Sequence, residues 1–408
     1  MQRTAYRPVY DAGSYLTLAS EVARTGDYPS RRYRGSGAGG TRGPTAYFAP
    51  GFPYFLAGVD VLDGHSARRD GAIGPARFSQ VALGTVTVAL TGLVALEAFG
   101  PAVALVALAL AAAYPVFVEL SAVLVAENLM VALVLGALYA ILRARRSGRP
   151  YAWIAGAGAL TGLATLTHVN AAVIVLPLLF AALAVRRTFS APLVLLAAWL
   201  VLLVPWTVRN ESQLHRFVPI TDEGGITLVG TYNPASAADR QVPYKWRIFF
   251  AIPGERRRLG NTGRLSEPGL GDRLQSQALD YIGAHPLAPV EVFFHNSLRL
   301  LELEGSFAWQ ASAAAQDLPR STARVGVISF WVLCLLAIAG AFTPLARRAP
   351  WWLWVVPVLL WVSVALINAE TPRFREPVDP FLILLAACGL VAAWRGGSQR
   401  LLRRAPVR

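Results

Sequence analysis

Lysine is almost missing from this chain. Of its 38 basic residues only Lys245 is not an arginine. Charge of either sign is scarce: Asp, Glu, Lys and Arg make up 15% of 408 residues, where a soluble domain carries about 25%. The two cysteines, Cys334 and Cys388, both fall inside apolar runs. They read as buried apolar residues rather than as a disulfide or a metal site. No internal repeat is present, and no low-complexity tract beyond "RGSGAGGTRG" (34–43), which reads as a flexible loop. The opening "MQRTAYRPVY" is too polar for the apolar region of a cleavable signal.

Apolar surface fills the space that charge leaves. Hydrophobic residues make up 55% of the chain, with a mean hydropathy of +0.45. Runs near 20 residues recur, each long enough to cross roughly 30 Å of hydrocarbon. The fold class expected is an all-α polytopic membrane protein. The net charge of +14 does not call for nucleic acid. Its arginines cluster between apolar runs, where they set topology and meet anionic lipid heads.

Membrane helices are expected near 76–98, 101–120, 124–142, 152–168, 170–185, 191–208, 325–346, 351–369 and 377–395. Four basic segments then fall on one side: "RARRSGR" (143–149), Arg186–Arg187, Arg347–Arg348 and the tail from Trp394. By the positive-inside rule that side is cytoplasmic. The domain reading is a first exterior loop at 1–75 with amphipathic surface helices, a six-helix core at 76–208 and an exterior loop domain at 209–324. Three further membrane helices at 325–395 and a basic cytoplasmic tail at 396–408 complete it. The exterior loop domain should be small and mainly helical, broken at His285–Pro286. Nine crossings put the N-terminus outside. The simplest explanation is a first transmembrane helix missing ahead of residue 1, through a mis-called start or a shortened chain. The alternative is that the first 75 residues cross behind the helices that follow.

Several polar residues fall on the exterior side. Over residues 11–25, Tyr15, Leu18, Ala19, Val22 and Ala23 form an apolar helical stripe, suited to a helix in the membrane surface. Asp11 starts that face. It can be an N-cap, a catalytic carboxylate, or both. Glu127 and Asn128 open the helix at 124–142; a charge at the centre of a membrane span costs roughly 2.5–3.5 kcal/mol and tends to be functional. Near the end, a snorkelled terminal charge is the plain alternative. The turn "NAETPRFREP" (368–377) holds Glu370, Arg373, Arg375 and Glu376. A lipid phosphate bound bidentately would justify two exterior arginines; mutual pairing of the four would too. Arg209 and Asn210 end the helix at 191–208. His168 sits in another exterior turn, where a lone His is more often structural than a metal ligand.

Together these stretches resemble the GT-C class of membrane glycosyltransferases. "YDAGSYLTLASEVARTGDYP" looks like their first exterior loop, and "TAYFAPGFPYFLAGV" (45–59) like the Pro-rich stretch after it. "VLVAENLM" and "LTGLATLTHVN" resemble their Glu turn and Gly-rich helix, although His168–Val169 stands where the class usually has Arg-Pro. The most specific matches are "PWTVRNESQLHRFVPITDEGGITLVGTYNP" (205–234) and "ETPRFREPVDPFLILLAA" (370–387). The nearest kin would be bacterial family-39-like enzymes, akin to protein mannosyltransferases and lipid A aminoarabinose transferases.

The resemblance implies a multi-pass protein of the cytoplasmic membrane. It would move a hexose or pentose from a polyprenyl-phosphate donor to an acceptor hydroxyl, with inversion, on the exterior face. It also implies a helix ahead of the first loop, which this chain does not carry. In that frame Asp11 is the candidate base, and Arg373, Arg375 and Arg209 are candidates for the donor phosphate. Glu127, Asn128 and His168 would contact the acceptor or a cation. The resemblance fixes no cofactor, and a divalent cation stays open. The partners are the donor lipid, membrane lipid and an acceptor that is protein, lipid or glycan, with no nucleic acid. The rival readings are a flippase or transporter of lipid-linked glycans, and an inactive fragment of a transferase without its anchor.

Overall fold

The computed structural model describes residues 8–29, 43–64, 73–255 and 265–404. Every regular element among them is helical. The chain opens with α1 (Asp11–Thr25) and α2 (Gly51–Leu62). The apolar series is α3 (Ile73–Phe99), α4 (Pro101–Ala113), α5 (Pro115–Leu120), α6 (Ala126–Ala144), α7 (Pro150–Thr167), α8 (Val175–Arg186) and α9 (Ser190–Leu214). A polar region carries α10 (Gly224–Thr231), α11 (Glu267–Ala284), α12 (Ala288–Leu300) and α13 (Ser306–Ala315). Three helices close the chain: α14 (Arg320–Ala341), α15 (Trp351–Ala365) and α16 (Asp379–Arg404).

All nine expected apolar segments are helical. Six are long and apolar enough to cross a membrane: α3, α6, the 18 residues Val169–Arg186 that contain α8, α9, α14 and the first part of α16. The remaining ones differ from expectation for local reasons. The run 101–120 is two helices, because Tyr114 is extended (ψ 112°) and Pro115 has no N–H to continue the ladder. The helix expected over 351–369 stops at Ala365 after 15 residues, about 22 Å at the usual rise. Helix α7 has the length, 18 residues, but its Gly- and Thr-rich sequence dilutes the apolar surface. The number of crossings therefore remains an expectation.

Helix α6 is the centre of the bundle. In its apolar window 78% of residues are buried, against 22% for α9. Helices α3 and α7 flank it, and α16 packs between α4 and α14. Small residues allow the close approaches. A Cβ on Gly340 of α14 would come within 1.8 Å of the Leu385 carbonyl oxygen of α16. Outside the bundle, α1 lies along α2. The stripe read from the sequence is its buried face: Tyr15, Leu18, Ala19 and Val22 are all buried. Phe48 and Phe52 clasp the Tyr15 ring at 4.8 and 4.9 Å. Helices α10 to α12 share a separate apolar core around Phe249, Leu270 and Val292. Proline at position 286 separates α11 from α12.

Candidate active site

Packing α1 on α2 fixes the first turn of α1. Asp11 is the first helical residue, and the capping position belongs to Tyr10, with no side-chain cap. The N-cap reading of Asp11 is thus corrected. Its carboxylate is engaged across the fold: Oδ2 lies 2.7 Å from Nη1 of Arg373. The Nε of Arg373 donates to Oε1 of Glu127 at 2.6 Å. His168 completes the chain, with Nε2 3.7 Å from the same Glu127 oxygen. Four segments far apart in sequence therefore meet at one guanidinium. Burial alone would weaken the charge on Arg373, but Glu127 and Asp11 outweigh it and hold the group firmly protonated. The guanidinium also stacks 4.8 Å from the Phe374 ring.

This cluster opens on a cavity of about 850 Å³, lined by Asp11, Tyr47, His168, Glu223, Trp246 and Arg373, among others. Its size is that of a small-molecule site. Asp11 keeps 39% of its side chain exposed while Glu127 keeps 2%, so of the two carboxylates on Arg373 it is Asp11 that a ligand can reach. The indole of Trp246 reaches the cavity wall because residue 230 is glycine; a Cβ there would come within 2.3 Å of its Nε1.

Three other residues singled out from the sequence lie away from the cavity. Arg375 is fully enclosed. It donates to Glu302 at 2.8 Å, to Asp379 at 3.3 Å and to the Leu300 carbonyl at 3.1 Å, and it lies 3.5 Å above the Phe330 ring. Arg209 donates to the carbonyls of Thr45 and Pro29 at 2.8 and 2.9 Å, pinning the chain on either side of the α1–α2 connection to the end of α9. Asn128 donates to Gln80 and to the Leu120 carbonyl at 2.6 and 2.9 Å. Mutual pairing inside the 368–377 turn is also not found. Arg373 and Arg375 reach out to different acids, and Glu370 sits 3.7 Å from Lys245.

Sequence reasoning missed Glu223. It lies in "PITDEGGI" at the start of α10 and lines the cavity. Burial first, and then the nearby Asp11 charge, push its carboxyl up to about 7. The available signal was an acidic pair directly before two glycines, inside a stretch read for its resemblance rather than for its chemistry. Among the described residues, no group of three or more His, Cys, Asp or Glu side chains is placed to hold a metal ion.

A family model described as dolichyl-phosphate-mannose-protein mannosyltransferase matches residues 49–208. No curated protein matches. Among solved structures, the chain is similar to the archaeal oligosaccharyltransferase AglB from Archaeoglobus fulgidus in complex with an inhibitory peptide and a dolichol-phosphate. That match has 16% identity and a TM-score of 0.55, covering 97% of this chain and 47% of that one. The apo oligosaccharyltransferase of the same organism matches at 17% identity and a TM-score of 0.57, over 96% and 48%. ArnT from Cupriavidus metallidurans bound to undecaprenyl phosphate has 17% identity over 96% and 75%, with a TM-score of 0.41 that carries no argument. The chain spans about half the length of the oligosaccharyltransferase it matches. The resemblance read from the sequence is borne out by the partial family match and by the shared fold.

Proposed function

We propose that this chain is an inverting glycosyltransferase that moves a sugar from a polyprenyl-phosphate donor to an acceptor hydroxyl on the exterior face of the membrane. One observation carries the reading: a reachable carboxylate, Asp11, and a buried guanidinium, Arg373, stand 2.7 Å apart in one cavity at the end of apolar helices. A sugar on a lipid phosphate is already activated. The reaction then needs a base for the acceptor and a cation for the charge growing on the phosphate. Asp11 is the base; a positioned base is worth typically 10²–10⁴-fold. Arg373 holds the phosphate. Such a cation acts most strongly where water is excluded, and Arg373 keeps only 10% of its side chain exposed. Glu127 orients Arg373 rather than touching the substrate, and His168, on the cavity wall, backs Glu127. Arg209 and Arg375, committed elsewhere, brace the site. The exterior parts are residues 1–75 and 209–324, and the acceptor is protein, lipid or glycan.

Donor binding tests the phosphate role. Arg373→Ala is expected to lose most of its affinity for undecaprenyl phosphate, read by displacement of a labelled lipid in detergent. An unchanged affinity removes Arg373 from that role.

A further inference from the structure

The transfer as drawn leaves two carboxyls of the cavity without a task, Glu223 and Glu370, and Glu370 sits 3.7 Å from Lys245. Glu223 lines the same cavity as Asp11 and Arg373, from the wall made by the polar region. Asp11 and Glu127 are both tied to Arg373. Glu223 has a side-chain bond with Thr221 and no ion pair among the described residues. Its place is rigid. A Cβ on the neighbouring Gly225 would come within 2.0 Å of the Gly271 carbonyl oxygen, so α10 is held hard against α11.

The charges around it decide what it can do. Asp11, Arg373 and Glu127 act on it directly. The phenols of Tyr15 and Tyr47 share the same neighbourhood. On α11, Glu267 is bonded to Thr45 and Asp272 is paired with Arg216; Asp222, next in sequence, is itself raised to about 6, by burial first. Of the arginines lining the cavity, Arg247 is paired with Asp239 and Arg373 already serves two carboxylates. A phosphodiester brings a further negative charge. An ionised Glu223 would repel it, whereas a neutral one can donate to it.

We propose that Glu223 works as the carboxylic acid of the site and gives its proton to the leaving phosphate, while Asp11 receives the acceptor's proton. The proposal rests on the polyprenyl-phosphate reading above. The balance is simple. The anomeric C–O bond to phosphate breaks and its electron pair stays on the phosphate oxygen, which takes the proton of Glu223. The acceptor oxygen bonds the anomeric carbon, and its proton goes to Asp11. After release, Asp11 loses that proton to water and Glu223 regains one. Two carboxyls with environments that push them apart are a recurrent acid–base division. Asp11 lies 2.7 Å from the Arg373 guanidinium, whereas Glu223 meets no cation in an ion pair among the described residues and burial pushes its carboxyl up to about 7.

Calorimetry of the full chain in detergent, with undecaprenyl phosphate as probe and in two buffers of different ionisation enthalpy, tests this. At pH about 7 the wild type should take up more protons on binding than Glu223→Gln, by up to about half a proton, since half of its Glu223 is already protonated there. Equal uptake in both overturns the proposal. No binding at all by the wild type instead overturns the donor reading beneath it. Turnover gives the second arm. Wild-type transfer should fall as pH rises through about 7, as Glu223 loses its proton. Glu223→Gln should be slower by roughly 10²-fold at pH about 6 and approach the wild type at alkaline pH. Glu223→Asp should keep the pH dependence at a lower rate. A loss that is the same at every pH means a structural role and overturns the proposal.

Discussion

Arg373 is the residue on which most of the site converges, and its removal has two separable consequences. Glu127 is nearly fully enclosed, with Arg373 Nε at 2.6 Å. Breaking a buried pair from one side typically costs about 3–5 kcal/mol, because the remaining charge is left alone. Arg373→Ala should therefore lower thermal stability as well as donor affinity, and the double variant with Glu127→Gln should recover much of the stability without recovering the affinity. A melting series of the three variants checks this; no recovery would mean that Glu127 is held by something else. Arg375 makes the opposite case. Its pairing with Glu302 and Asp379 means that Arg375→Ala should destabilise by a similar amount while folded molecules bind polyprenyl phosphate as before. A selective loss of binding would return it to the phosphate site. The sequence showed that two arginines of this turn demanded acidic company, but Glu127 lies more than 200 residues from Arg373, and Arg375 finds Glu302, 73 residues away, beside the local Asp379. Nothing local in "PRFRE" separates the two. Asp11 was legible as the start of an apolar helix, and its partner was not.

At the scale of elements, apolar runs and prolines told most of the story. The stripe on α1 is the face that packs on α2, and the break before α12 falls at the proline that forbids continuation. The two-part segment α4–α5 was read as one helix because composition is continuous across Tyr114–Pro115 while the backbone is not. Helix contacts that rest on a missing side chain were invisible to periodicity. Helices α14 and α16 meet at Gly340, where the facing carbonyl leaves no room for a methyl group. Gly340→Leu should force them apart and cost about 1–3 kcal/mol, read as a lower melting temperature in detergent, whereas the same change at Gly156, which has no neighbour within 4 Å of a Cβ, should be nearly silent. Equal effects at both positions would contradict the packing of α14 on α16.

For the whole molecule, the arrangement needs the cavity, Asp11 and the polar region on one side and the arginine-rich turns on the other. At the end of α3, Glu97 pairs with Arg143 and Arg146 at 3.1 and 3.3 Å, beside the basic loop expected to face the cytoplasm. A cysteine placed at Ser14 should react with an impermeant reagent added to intact cells, and one placed at Ser147 should not; the reverse pattern would break the nine-crossing map. The class of fold was readable from hydropathy and charge alone. The cavity was not, because it is built from α1, the 368–377 turn, the α7–α8 turn and the polar region, which no stretch of sequence brings together. The central claim is that this cavity transfers sugar with Asp11 as its base. Turnover of a labelled polyprenyl-phosphate sugar, in membranes carrying the wild type or Asp11→Asn, tests it most directly. Transfer by the wild type, a loss of roughly 10²–10⁴-fold in the variant and unchanged binding of undecaprenyl phosphate are expected. Equal turnover in both would contradict it, and a wild type that binds and moves the lipid across the bilayer without releasing sugar would point instead to a transporter.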